Sequence, residues 1–460
     1  MATYHRADAL GAGSFGSVLK VYNDDGEEFA MKLFLDDEEE DNEDETLNVG
    51  ALLELSALRL IRDENKHPNI IQLHDVKTAE EDDDEDNVGA GTSGCLGMTM
   101  PLYELGSLDG ALEQKLPQIL QSRANKVNIA HGLLSAVNFL HETCGMMHRD
   151  IKADNVMLTD PRGNGMLTPV LIDFSLAKLV NGSLYGQPNT VFANTQTKDA
   201  LTHTGQIGTA TYMAPEVFDS SSEGSYNERS DLWSLGVVLL EMVRGETIQS
   251  LKTNQAMTMI QEALAKLPQD KPFPALLRKL LQKNPADRWT ARECFEQMST
   301  TLFSKLEEPV PKKVTISLKG ALPLEFMSGE DDENTAPKTV KKGKKNKMDP
   351  VLQKRIQTIR KLCNELQCEH PMSIQAALTY CQCMLELDED LDDISSSQTL
   401  LDCVVLAHKC FEVSMLDLTD LEETYKSFAN WNLDEYRDNE ATIFLMMDHC
   451  LYPRELIPLE

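Results

Sequence analysis

Residues 148–155 read His-Arg-Asp-Ile-Lys-Ala-Asp-Asn and place an acid, a cation and an amide close together. Asp150 offers a carboxylate that can accept or orient a hydroxyl proton, and Lys152 can stabilise a moving phosphoryl group. Asn155 supplies a hard oxygen atom of the kind that magnesium binds. This spacing puts a base, a phosphate contact and a metal ligand on one short loop, so it predicts a phosphotransferase.

Further parts of such a site follow in the expected order along the chain. Gly11, Gly13 and Gly16 lie in Gly-Ala-Gly-Ser-Phe-Gly, and an alternating, strand-like pattern comes next, which predicts a β-hairpin at this glycine-rich run. Glycines suit this position because a side chain would hold the backbone away from phosphates. Asp173 comes after residues 148–155, the predicted catalytic loop, and Ala-Pro-Glu occupies 214–216. The prediction therefore does not depend on one motif alone.

These motifs resemble those of the eukaryotic serine/threonine protein kinase family over roughly residues 5–305. The resemblance implies an α+β, bilobal protein kinase domain over 1–306. Its N-lobe, about 1–102, would be a small, mostly antiparallel sheet, and its C-lobe, about 103–306, would be larger and helical. It also implies an enzyme that uses ATP and magnesium to phosphorylate protein hydroxyls on serine or threonine.

The resemblance assigns roles to individual residues. Lys32 would contact the α and β phosphates, and Glu54, in an apolar helical pattern, would be its acidic partner. Asp150 and Lys152 would be catalytic, and Asn155 and Asp173 would hold magnesium. The other implied nucleotide contacts are Gly11, Ala12, Gly13, Ser14, Phe15, Gly16, Val18, Ala30, Met100 and Leu102. For Met100, at the gatekeeper position, apolar packing without ligand contact is the alternative.

Control of the site is predicted from two features. Thr204 lies five residues before Thr209, the spacing of the activating threonine in cyclin-dependent kinases, and a phosphate there would pair with Arg149. Thr202 is a competing site, and an unmodified loop is the alternative. Ser175 stands where the family has the glycine of Asp-Phe-Gly. This serine indicates altered regulation, and it is the main feature that favours a pseudokinase scaffold instead.

Three residues are predicted to support the fold of the larger lobe. Glu216 and Arg288 should form a buried ion pair, and Asp231 should brace the catalytic loop.

Composition limits the partners and the location. The 460-residue chain has a formal net charge of −32, which argues against nucleic acid as a partner because such binding neutralises phosphates with Lys and Arg. No apolar run reaches the roughly 20 residues of a membrane helix, so no membrane contact is expected. Ten cysteines without a Cys-x-x-Cys motif predict reduced thiols. The chain is expected to be intracellular, cytoplasmic and/or nuclear.

The last third predicts a linker and a second domain. Residues 307–348 are rich in charge and proline and read as a flexible linker, in which the lysines of 338–347 form either a nuclear import signal or a solvated tether. Helical periodicity then predicts a small all-α domain over 349–460. Its predicted helices cover 350–368, 371–387, 396–412, 416–429 and 433–451.

One of these segments resembles a cyclin box. The run Gln-Thr-Leu-Leu-Asp-Cys-Val-Val-Leu-Ala-His-Lys-Cys-Phe-Glu is similar to its central helix, with Lys409 and Glu412 at the usual offsets and Glu440 in the last helix. A cyclin-like domain would bind a kinase, either in cis through the helix of Glu54 or in another molecule. A generic helical adaptor domain, which recruits a kinase or a substrate, is the alternative.

Overall fold

The structure is a computed structural model in which the described residues form two compact units. The first contains those of Met1–Ile316 and Glu440–Leu451, and the second contains those of Ser317–Glu412 and Leu416–Asn439 together with Tyr452. The described residues are 3–13, 16–34, 49–64, 66–78, 96–116, 119, 121–179, 209–218, 227–248, 253–304, 350–368, 371–387, 397–411, 421, 425, 431–447 and 451–452. Within these ranges no helix has both the length and the apolar character needed to cross a bilayer.

The first unit opens with an antiparallel sheet whose strand order is β1-β2-β3-β5-β4. The predicted hairpin at the glycine-rich run is confirmed, since β1 and β2 pair from Gly13 and Gly16 outward. The strands are β1 (Tyr4–Gly13), β2 (Gly16–Asn23), β3 (Glu28–Phe34), β4 (Asp75–Thr78) and β5 (Leu96–Pro101).

Strand alternation decides which side chains of β3 face the site. Met31 packs in a buried cluster with Tyr4, Leu19 and Val21 on one face of the sheet. Because neighbouring side chains of a strand point to opposite faces, Lys32 points to the other face. Lys32 pairs with residues of both β2 and β5, so it lies in the interior of the sheet.

Helix α1 (Val49–Glu64) lies between β3 and β4 and carries Glu54. The loop after α1 is tied to the larger lobe, because the Asn69 amide donates to the Pro169 carbonyl at 2.8 Å and Ile71 N–H donates to Leu171 O at 3.0 Å. Gly132 allows this close approach, since a Cβ there would lie 2.7 Å from the Asn69 amide nitrogen. The end of α1 is therefore fixed beside the larger lobe.

The larger lobe is mostly helical, with short strands around the catalytic loop. Its α-helices are α2 (Leu108–Glu113), α3 (Arg123–Phe139), α4 (Thr209–Tyr212), α5 (Pro215–Phe218), α6 (Glu228–Arg244), α7 (Thr253–Lys266), α8 (Pro272–Leu280) and α9 (Ala291–Met298). Its strands are β6 (Met146–Met147), β7 (Val156–Thr159), β8 (Thr168–Leu171) and β9 (Lys178–Leu179). The described part of this lobe also contains two 3₁₀ turns, Ala153–Asn155 and Pro285–Asp287, and a π-helical turn, Leu140–Cys144.

The predicted ion pair of this lobe is confirmed. The Arg288 guanidinium donates to both carboxylate oxygens of Glu216, at 2.8 and 3.1 Å, and it also donates to the carbonyl of Gln282. Arg288 lies over the buried Trp233 ring at 5.3 Å. A bidentate pair of this kind holds helix α5, which carries Glu216, to Arg288, and Arg288 in turn packs on Trp233 of helix α6.

The second unit is helical. Its helices α10 (Pro350–Glu365), α11 (Pro371–Leu387) and α12 (Ser397–Phe411) pack against one another, and α13 (Leu433–Met446) begins in this unit. The predicted helix over 416–429 lies outside the described residues apart from Leu421 and Tyr425. The predicted helix over 433–451 ends earlier, at Met446. Eight cysteines in the described ranges are free thiols.

Helix α12 carries a buried carboxylate with uncharged partners. The Trp431 indole N–H donates to Asp402 Oδ1 at 2.6 Å, the Gln398 amide donates to the same oxygen at 2.9 Å, and the Asn439 amide donates to Oδ2 at 2.6 Å. Burial raises the pKa of Asp402 to about 7, although these three donors lower it. The network connects α12 to the start of α13.

We expect the second unit to lose stability as the pH rises from about 4 to about 7. Asp402 holds its proton more tightly when folded, so its contribution is complete below the ordinary pKa of 3.8 and is lost as the pH passes about 7. The difference between the ordinary pKa of 3.8 and the folded pKa of about 7 corresponds to about 4 kcal/mol of unfolding free energy. Hydrogen exchange of α12 amides, corrected for intrinsic rates, measures it. In the Asp402→Asn chain this loss of stability with rising pH should be absent. The same pH dependence in both chains would refute the role of Asp402.

Candidate active site

The catalytic loop is shaped by a carboxylate beneath it, as predicted. Both oxygens of Asp231 accept backbone hydrogen bonds, from His148 N–H and Arg149 N–H, each at 2.9 Å. The His141 ring also contacts Asp231, at 2.9 Å. Arg149 has φ of 70°, a left-handed conformation that side chains disfavour, and Asp231 stabilises it. The bracing of the loop by Asp231 is confirmed.

Asp150 projects from this loop with one oxygen occupied. Lys152 Nζ donates to its Oδ2 at 2.7 Å, and the Asn155 amide donates to the same oxygen at 2.9 Å. Among the described residues no hydrogen bond reaches Oδ1 of Asp150. That oxygen is therefore available to a hydroxyl group of a substrate.

Lys32, Glu54 and Asp173 meet although they are far apart in sequence. Lys32 Nζ lies 2.6 Å from Glu54 Oε2 and 3.4 Å from Asp173 Oδ1. Glu54 is 1% exposed, and its other oxygen accepts a hydrogen bond from Phe174 N–H at 3.2 Å. Helix α1 is thus joined both to the sheet and to the segment that follows Asp173.

Both carboxylates of this cluster interact with the Lys32 ammonium. Burial and the neighbouring Asp173 hold the pKa of Glu54 above its ordinary value, although Lys32 lowers it. Burial opposes the charge of Lys32, but Glu54 and Asp173 outweigh it and hold the pKa of Lys32 above its ordinary value. Burial likewise opposes ionisation of Asp173, but Lys32, the Ser175 hydroxyl and Lys152 lower the pKa of this carboxyl. Asp173 is therefore an anion at neutral pH.

The two proposed metal ligands fit magnesium. The amide nitrogen of Asn155 donates to the carbonyl and to Oδ2 of Asp150, at 2.9 Å each, so its amide oxygen remains to face a cation. Asp173 adds a charged carboxylate. Hard oxygen donors of this type are what Mg²⁺ prefers. When bound, the ion would neutralise charge on the phosphates.

The nucleotide end of the cleft is only partly described. Ala30 pairs with Met100 across β3 and β5, and both are buried. Val18 pairs with Lys32, and Leu102 follows β5 in a half-buried position. Gly11 and Gly13 end β1, with Ala12 between them, and Gly16 starts β2. Ser14 and Phe15 lie outside the described residues.

Similarity to known proteins decides the family. A family model described as the protein kinase domain matches residues 4–298. This chain belongs to the protein kinase family. The α+β fold, with an antiparallel sheet, a helical region and a further helical segment at the C-terminal end, is confirmed with it. The family match ends before the second unit, so the cyclin-like character of 349–460 stays a prediction.

Curated kinases are similar to this kinase over part of their length. Ribosomal protein S6 kinase alpha-4 of Mus musculus is 30% identical over 242 residues, which cover 52% of this chain and 25% of that protein. Probable cyclin-dependent kinase 9 of Schizosaccharomyces pombe is 28% identical over 249 residues, which cover 54% of this chain and 38% of that protein. CBL-interacting protein kinase 21 of Oryza sativa is 30% identical over 296 residues, which cover 63% of this chain and 47% of that protein. The matches thus span about a quarter to a half of these relatives.

The structure describes only some of the predicted regulatory residues. Thr204 and Thr202 lie outside the described residues. Thr209 begins α4, and its side chain is not among those described. Arg149 lies in the catalytic loop of the kinase, where its backbone is bound to Asp231. A phosphate contact between Thr204 and Arg149 stays a prediction.

Sequence reasoning missed two contacts of the kinase site. It named Glu54 as a partner of Lys32 but did not foresee that Glu54 also binds the backbone of Phe174. It treated Ser175 as a missing glycine and did not foresee that the hydroxyl binds Asp173. The polar character of serine next to a metal ligand was the available signal for the second contact.

Proposed function

We propose that this chain is a serine/threonine protein kinase that transfers the γ-phosphoryl group of ATP to protein hydroxyls, with magnesium as the cofactor. The ion pair of Lys32 and Glu54, joined to Asp173, is the observation that carries the proposal. A pseudokinase scaffold has no need for this arrangement together with an Asp150 carboxylate whose Oδ1 accepts no hydrogen bond from the described residues.

The residues have distinct parts in the proposed reaction. Lys32 binds the nucleotide phosphates, and Glu54 holds the ammonium group in place. Asp150 orients the substrate hydroxyl through the oxygen that Lys152 and Asn155 leave available. Lys152 stabilises the phosphoryl group as it moves, because its ammonium is held at the Asp150 carboxylate, 2.7 Å from Oδ2. Catalysis then rests on positioning and charge.

Transfer of labelled γ-phosphate from ATP to a generic basic protein tests the proposal. Acid hydrolysis of the product should yield phosphoserine or phosphothreonine, and the Asp150→Asn chain should give no signal above background. Absence of transfer by both chains would contradict the kinase assignment and favour the scaffold.

We further propose that the C-terminal segment Glu440–Leu451 controls the kinase in cis through helix α1. This segment belongs to the same compact unit as α1, and Leu451 N–H donates to Ser56 Oγ at 3.0 Å. Ser56 lies two residues from Glu54, about 200° around the helix. The segment therefore supports the face of α1 that is opposite to the Lys32 contact.

Leu451→Ala is expected to lower the kcat of the full chain about tenfold and to increase hydrogen exchange in α1. Leu451 is fully buried, so its truncation removes apolar contacts beside Ser56. Leu445→Ala is the matched control, because Leu445 lies in the same segment but is 52% exposed, and it should change kcat less than twofold. Equal kcat and equal α1 exchange in both variants would contradict control in cis.

A further inference from the structure

Ser175 makes the shortest hydrogen bond to a proposed metal ligand of this kinase. Its side chain is 1% exposed, and its hydroxyl donates to Asp173 Oδ1 at 2.7 Å. We propose that Ser175 is a positioning residue, which holds the Asp173 carboxylate in the orientation that binds magnesium. This inference rests on the proposed function and names a residue that acts through Asp173, without touching the substrate.

The backbone accommodates serine here without strain. Positive φ angles occur at only four described non-glycine residues, Lys115, Arg149, Asp173 and Gln367, so Ser175 is outside the left-handed region. The conformational freedom of glycine is therefore not needed at this position in the structure. Asp173 itself has φ of 64° and is the residue under strain. A side chain that donates a hydrogen bond to the Asp173 carboxylate stabilises this unusual conformation.

The other contacts to Oδ1 of Asp173 are long. Lys32 Nζ and the backbone N–H of Ser175 are each 3.4 Å away, near the limit for a hydrogen bond. A glycine at this position would keep the backbone contact and lose the hydroxyl. The 2.7 Å bond is thus the part of the arrangement that depends on serine.

The same contacts leave the second carboxylate oxygen for the metal. All three donors reach Oδ1, and among the described residues no hydrogen bond reaches Oδ2 of Asp173. Fixing one oxygen of a carboxylate restricts rotation of the other. Hydrogen bonds from neighbouring groups orient metal ligands in this way, and their loss typically weakens metal binding about 10- to 100-fold.

Binding of a fluorescent ADP analogue to the full chain, with and without Mg²⁺, tests the proposal. In Ser175→Ala the strengthening of nucleotide binding by Mg²⁺ should fall about tenfold, while affinity without Mg²⁺ should change less than twofold. Ser175→Gly should behave like Ser175→Ala, and Ser175→Thr, which keeps a hydroxyl, should restore most of the Mg²⁺ effect. If Ser175 acted only in folding, its loss would change the nucleotide affinities with and without Mg²⁺ by the same factor.

Ser234→Ala is the matched control. It also removes a buried hydroxyl, but this hydroxyl donates to the Tyr212 carbonyl, at 2.8 Å, and makes no hydrogen bond to Asp173. Ser234→Ala should therefore leave the Mg²⁺ effect unchanged. A wild-type Mg²⁺ effect in Ser175→Ala, or a larger one in Ser175→Gly, would overturn the proposal. Because binding is measured, a chain that shows the Mg²⁺ effect but transfers no phosphate would count against the kinase function alone.

Discussion

Phosphoryl transfer by the Asp150→Asn chain is expected to be about 10²- to 10⁴-fold slower than transfer by the wild-type chain. An asparagine oxygen can still accept the hydrogen bonds that Lys152 and Asn155 give to Oδ2. Its amide nitrogen then replaces Oδ1, and a donor there cannot accept the proton of a substrate hydroxyl. The loss should therefore appear in kcat, with the KM for ATP nearly unchanged.

Steady-state rates with labelled ATP, together with thermal unfolding, measure this effect. Asp287→Asn is the matched control, because Asp287 is an exposed aspartate of the same lobe whose carboxylate accepts a hydrogen bond from the side chain of Asn284. It should retain wild-type activity. If Asp150→Asn kept more than a third of the wild-type kcat, Asp150 would not be the catalytic carboxylate.

Lys32→Met is expected to lower kcat/KM about 10²- to 10³-fold, the usual cost of losing one charge-stabilising donor. The substitution also leaves Glu54, which is almost fully buried, without its cation. Breaking a buried ion pair from one side typically costs about 3–5 kcal/mol. We therefore expect a lower unfolding temperature as well as lower activity.

A double-mutant cycle with Glu54→Gln separates these two effects. The Lys32→Met/Glu54→Gln chain should be more stable than Lys32→Met, because the unpaired charge is gone, yet no more active. Lys20→Met is the matched control, because Lys20 pairs with Glu28 at 2.7 Å and both side chains are partly exposed, so its loss should change activity less than twofold. Independent, additive effects of Lys32 and Glu54 would contradict their shared role.

The sequence alone determined the groups that lie close together along the chain. Asp150, Lys152 and Asn155 fall within six residues, so one loop conformation brings them into contact. The hairpin of the glycine-rich run was predictable for the same reason, since strand alternation and glycines are local features. The family resemblance added the long-range partners, such as Glu54 and Asp173, as expectations.

Tertiary structure decided the contacts whose partners are distant in sequence. Lys32 and Asp173 are 141 residues apart, Phe174 and Glu54 are 120 apart, and Leu451 and Ser56 are 395 apart. No local pattern fixes such distances, because they depend on how the sheet, helix α1 and the catalytic lobe pack. The bond from Ser175 to Asp173 spans two residues, but it too needed the structure, because it forms with Asp173 in a left-handed backbone conformation that no sequence pattern predicted.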